Sequence, residues 1–163
     1  MHHLLRLSIV VAAAIAGSAI ATPVLAQRAG ANGREVLNPP GLAPLVPAYS
    51  VAIRDGEWVF VSGMTGIAPG TQDIVAGGIA VQTRQTMENI RTALQSGGAT
   101  MADVAECTVF LKDMADYAAM NAEYIKFFPA NPPARATLAV SALPRPAALV
   151  EVKCSARVRQ PSR

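Results

Sequence analysis

Behind two prolines, at the mouth of a β-rich run, the segment Pro132-Pro133-Ala134-Arg135-Ala136-Thr137 sets a guanidinium on a stiff approach. Proline fixes its own φ and pushes the preceding residue toward extended conformations, so the backbone entering Arg135 has little freedom. A planar fork of donors held in this way suits bidentate capture of a small carboxylate. Taken by itself, the segment reads as a solvated cap on a strand. Thr137 follows on the same strand face, and the alternation of the last strand puts Glu151 opposite its apolar residues. The pattern predicts that Arg135, Thr137 and Glu151 share the sheet face away from the helices.

The rest of the inventory narrows the chemistry by elimination. Met1–Arg6 are weakly positive, Leu7–Ala21 form an apolar run, and Val24-Leu25-Ala26 offers a small-residue cleavage site before Gln27. Residues 1–26 therefore read as a secretory signal peptide, and the expected location is periplasmic or secreted, with no membrane association after cleavage. The apolar run is short for a membrane span and is interrupted by Gly17 and Pro23.

Removing 26 of 163 residues leaves 137, enough for one domain. Both histidines, His2 and His3, lie inside the expected signal. Histidine general bases, Ser-His or Cys-His pairs and histidine metal ligands are thereby excluded from the mature protein. No metal site is expected. Thirteen basic residues against eleven acidic ones beyond Ala26 are too mild a balance to argue for nucleic acid. Cys107 and Cys154 each fall on the apolar alternation of a strand and read as buried thiols. A disulfide, possible only if the two strands are neighbours, is the less favoured reading.

These side chains need a scaffold, and its order is legible. Residues 27–47, rich in Gly, Pro, Asn and Ala, read as an irregular lead-in, with the domain itself placed at 42–160. Ser50–Arg54 and Glu57–Ser62 flank Asp55-Gly56, a strong hairpin signal. A Gly-rich loop covers Gly66–Gly78. Ala80, Arg84, Met87, Ile90 or Arg91, and Leu94 recur at helical spacing over Ile79–Ser96, ended by Gly97-Gly98. Val104–Leu111 is a β-branched strand, Asp116 caps a helix over Tyr117–Phe128, and Ala136–Leu143 and Ala148–Val158 are the last strands. The order ββ-α-β-α-β-β predicts a single α+β domain with two helices on one face of a mixed sheet. The mixed opposite face calls for burial against further subunits.

Several local motifs coincide with this frame. They are Tyr49 followed at fixed distance by Val61-Ser62-Gly63, the helix Thr86-Met87-Glu88-Asn89-Ile90, the strand Cys107-Thr108-Val109-Phe110-Leu111-Lys112-Asp113, Met120-Asn121-Ala122-Glu123-Tyr124, Pro133-Ala134-Arg135, and Val150-Glu151-Val152. Jointly they resemble the reactive intermediate deaminase family, the Rid or YjgF proteins, over Leu42–Val158. The resemblance implies a chorismate-mutase-like fold assembled as a homotrimer. It implies hydrolysis of short 2-imino or 2-enamino acids to 2-oxo acids and ammonia without a cofactor. Under it Arg135 clamps the substrate carboxylate and Glu151 helps position the attacking water. Tyr49, Ser62, Gly63 and Asn121 line the cleft with Thr137, which stands where the deaminase branch often has cysteine. Met64 replaces a residue that is commonly polar. A non-catalytic carboxylate binder or holdase on the same trimer is the alternative. Endoribonuclease activity, attributed to some relatives, is third, opposed by the mild charge and the missing histidine.

Overall fold

The computed structural model describes residues 33–158. The expected signal peptide, the first residues of the lead-in and the last two of the expected domain lie outside them. Within the described residues no helix is long and apolar enough to cross a membrane.

The chain runs β1 (Arg34–Leu37), β2 (Ala52–Asp55), β3 (Trp58–Val61), β4 (Met64–Thr65), α1 (Gly78–Ser96), β5 (Val104–Leu111), α2 (Tyr117–Tyr124), β6 (Ala134–Ala139) and β7 (Val150–Arg157). The Asp-Gly signal is realised as the β2–β3 hairpin, where Gly56 takes a φ of 58° that a side chain would resist. The lead-in is not wholly irregular, because Arg34–Leu37 pairs antiparallel with β2. Its Gly- and Pro-rich flanks hide a strand that exists through its partner, a tertiary effect that local propensity does not carry. Two residues of β4, added against β7, also escape a pattern of period two.

α1 ends at Gly97 as the glycine pair predicts. Its buried stripe is Thr83, Thr86, Met87, Ile90, Ala93 and Leu94, so Arg84 and Arg91 point outward instead of sharing the inner face. α2 is shorter than the sequence suggested: the α-helix stops at Tyr124 and Ile125–Phe127 continue as a 3-10 turn. β6 and β7 are likewise trimmed at their ends.

Among the described residues the sheet has the order β1-β2-β3-β7-β5-β6, with β4 on β7, and only β5–β6 is parallel. β5, α2 and β6 thus form a crossover unit, and β6 is an edge strand. Both helices cover one face. The core lies there, with Val150, Val152, Cys154 and Ala156 of β7 and Cys107, Val109 and Leu111 of β5 against Met87, Ile90, Leu94 and Met120. The alternation foreseen for β7 is the one observed.

Two expectations fail, both through register. Cys107 and Cys154 are direct partners on adjacent strands and form a disulfide. They are not inert thiols. The second correction concerns Arg135, which pairs with Cys107, as Cys107 does with Cys154. Partners across a ladder point the same way, so Arg135 and Thr137 lie on the helix-covered side. Glu151, partnered by Phe110 and by Thr65, lies on the open face. The three residues do not share a face within one chain.

Candidate functional site

The parallel β5–β6 ladder carries Arg135 along the sheet edge toward α2. There Nη1 donates to Asn121 Oδ1 at 2.8 Å and Nη2 donates to Tyr117 Oη at 3.0 Å. Tyr117 and Asn121 are four apart, one helical turn, so both reach the same guanidinium. Its carbon lies 4.7 Å from the Tyr124 ring centroid and 5.7 Å from that of Tyr117. A cavity of about 300 Å³ opens beside it, walled by Tyr124, Ile125, Phe128, Pro132 and Pro133. The prolines therefore shape the wall of a cavity as well as stiffening the strand.

Tyr124 is buried, and its hydroxyl has no hydrogen-bond partner among the described residues. Burial pushes its pKa up to about 12, against the opposing pull of Arg135. The phenol is thus neutral beside the cation at any physiological pH.

A second cavity, of about 370 Å³, gathers Tyr49, Ser62, Gly63, Thr65, Arg145 and Glu151 with Leu45, Val46 and Ile67. Glu151 is half-buried and has no hydrogen-bond or ion-pair partner among the described residues. Burial raises its pKa above the ordinary carboxylate value. Gly63 leaves room for the Glu151 carboxyl, which a side chain at this position would displace. A Cβ there would stand 2.7 Å from Glu151 Cδ and closer still to its carboxylate oxygen. Ser62 Oγ donates to the Ser50 carbonyl at 2.7 Å, and its N–H donates to Val51, so its hydroxyl proton ties two loops together. Tyr49 Oη accepts from Leu45 N–H at 2.7 Å and keeps its own proton to give.

The structure therefore brings the expected residues together in two groups. Arg135 and Asn121 meet at the sheet edge, with Thr137 two residues along the same strand face. Tyr49, Ser62, Gly63 and Glu151 meet on the open face. Met64 belongs to neither, because it pairs with Val152 and is buried in the core. Sequence reasoning missed Tyr117, Tyr124, Thr65 and Arg145. The four-residue spacing of Tyr117 and Asn121 was the one signal that could have found Tyr117. Arg145 donates to the carbonyl and side-chain oxygens of Gln72, far off in sequence, which no local pattern encodes. Among the described residues no group of His, Cys, Asp and Glu could hold a metal ion.

The family model described as Endoribonuclease L-PSP matches residues 42–158. A RutC family protein of Pyrococcus horikoshii is 43% identical over 113 residues, covering 69% of this chain and 88% of its own. Reactive Intermediate Deaminase A of Arabidopsis thaliana, a chloroplastic protein, is 37% identical over 123 residues, 76% of this chain and 65% of that one. The 3-aminoacrylate deaminase RutC of Acinetobacter baylyi is 34% identical over 125 residues, 77% and 98% of the two chains. Among solved structures, a putative endoribonuclease L-PSP from Entamoeba histolytica superposes with a TM-score of 0.72 at 36% identity, covering 76% of this chain and 98% of that one.

Proposed function

Because the chain belongs to the Rid/YjgF family, the family described as Endoribonuclease L-PSP, we propose that it hydrolyses short 2-imino and 2-enamino acids to 2-oxo acids and ammonia. The observation that carries the reading is the Arg135 guanidinium, held by Asn121 and Tyr117 at the mouth of a cavity sized for a small carboxylic acid. Two relatives bear deaminase names.

An imine carbon is already electrophilic, so positioning supplies most of the acceleration and no cofactor is called for. Arg135 holds the carboxylate. An enamine first takes a proton on its β-carbon to become the iminium. Water then adds to the iminium carbon, giving its proton to Glu151. The carbinolamine nitrogen takes that proton back from Glu151 and departs as ammonia, while the hydroxyl proton passes through Glu151 to the ammonia, giving ammonium, as the carbonyl forms. A carboxyl with a raised pKa and no fixed partner among the described residues suits these proton transfers.

Arg135 and Glu151 face opposite sides of one sheet, so the working cleft forms between copies of the chain, in a homotrimer. The open face supports this. Phe60 and Leu138 on it are 42% and 46% exposed, and Trp58 stacks on Phe60 with centroids 6.1 Å apart. Export to an oxidising compartment is part of the proposal, supported by the Cys107–Cys154 bond and the N-terminal sequence. RNA cleavage, named in the family description, finds little support in a net charge of +3.

The test is ammonia release from 2-iminopropanoate generated in situ. Wild type releases it faster than the buffer reaction, and Arg135→Ala does not. Release by wild type no faster than the buffer reaction would leave a carboxylate binder as the better reading, and equal acceleration by both proteins would remove Arg135 from the site.

A further inference from the structure

The arginine is held from more directions than carboxylate capture alone requires. A guanidinium has five N–H donors in one plane. Asn121 Oδ1 takes one from Nη1 and Tyr117 Oη takes one from Nη2, leaving three for a ligand. These two acceptors fix rotation within the plane. They do nothing against tilting out of it. The Tyr124 ring does, with its centroid 4.7 Å from the guanidinium carbon, where the negative face of a neutral ring attracts the cation.

Tyr124 is itself closely packed. It is 4% exposed and packs against Phe128 with ring centroids 4.9 Å apart. Its buried hydroxyl has no partner among the described residues, so the residue carries a desolvation cost that a phenylalanine would escape. What the site retains is a rigid aromatic wall behind the cation.

We propose that Tyr117 and Tyr124 are positioning residues that lock the Arg135 guanidinium in plane and in tilt, presenting its remaining N–H edge to a carboxylate whose other substituent is apolar. The second half of the statement follows from the wall of the adjoining cavity, formed by Ile125, Phe128, Pro132 and Pro133. The inference rests on the reading of Arg135 as the carboxylate site.

A double-mutant cycle separates positioning from general structural support. Calorimetry measures binding of 2-oxobutanoate, a stable 2-oxo acid with an apolar end, to wild type, Tyr117→Phe, Arg135→Lys and the double variant. Losing one hydrogen bond to a charged group should weaken binding by about tenfold in the wild-type background. In the Arg135→Lys background, where no fork remains to orient, Tyr117→Phe should change nothing. Tyr124→Leu should behave as Tyr117→Phe does, and melting curves check that it folds. The bracket is overturned if Tyr117→Phe binds as wild type does, or if it weakens binding equally in both backgrounds. The carboxylate site itself falls, and the bracket with it, if wild type binds no 2-oxobutanoate or if Arg135→Ala binds it unchanged.

Discussion

Arg135 and Glu151 are set up for different kinds of sensitivity. Under the proposed function Arg135 works by the geometry of a fork, so a lysine, which offers a point charge, should lose most of the imine-hydrolysis rate, and alanine nearly all of it. The loss should appear mainly in kcat/KM, read from steady-state ammonia release, because the residue both binds and orients. Glu151, under the proposed function, works by its proton, and its linkage to folding has a definite sign. Burial raises its folded pKa above the ordinary 4.5, so its ionised form destabilises the fold. That cost is absent below the ordinary carboxylate pKa and complete above the raised one. Glu151→Gln should therefore melt higher than wild type at neutral pH, with the difference vanishing at pH values below the ordinary carboxylate pKa. A pH-independent difference would show that the carboxyl's ionisation has nothing to do with it. Gln should also abolish turnover if the side chain must accept a proton, while leaving 2-oxobutanoate binding intact.

At the scale of elements, the strand order does what local sequence cannot. The hairpin, both helices, the last strand's alternation and the order of elements were legible because each is written in period, capping or turn residues. The two strand faces were legible singly. Their relation was not: whether Arg135 sits with Glu151 or opposite it depends on the register of three strands 16 to 47 residues apart in sequence, Cys107 beside Arg135 and beside Cys154. The same missing register hid the disulfide. Once β7 lies between β3 and β5, the two cysteines face each other in the core. The bond closes a separation of 47 residues, for which chain entropy in the unfolded state suggests about 4 kcal/mol. Replacing both cysteines by alanine should lower unfolding free energy by about 2–4 kcal/mol, measured by denaturant titration of the oxidised protein. A reductant should lower the wild type toward the double variant and leave the variant unmoved. An unchanged midpoint in the double variant would mean that the bond contributes no stability.

The whole molecule is where the two groups must meet. Within one chain the sheet stands between Arg135, under α2, and Glu151, beneath Gly63 on the open face. No rotamer change carries either side chain through a layer of paired backbone. If both act on one substrate, they come from different subunits, and the exposed Phe60, Trp58 and Leu138 mark the face through which copies associate. For the proposed homotrimer, light scattering should give three times the mass of the subunit. Mixing supplies a sharper experiment than mass. On the proposed assembly, Arg135→Ala and Glu151→Gln should each be inactive, but every subunit of either still carries one intact half. After subunit exchange at equal concentrations, a cleft regains both halves when its arginine comes from the glutamine variant and its glutamate from the alanine variant. Random assembly into a ring makes about one cleft in four of this kind. Roughly a quarter of wild-type ammonia release should therefore return on mixing, and none on mixing either variant with itself. Recovery should require exchange, and so should grow with incubation and mild destabilisation of the trimer. Full exchange, followed by tagged subunits, with no recovered activity would mean that Arg135 and Glu151 do not share a substrate across an interface.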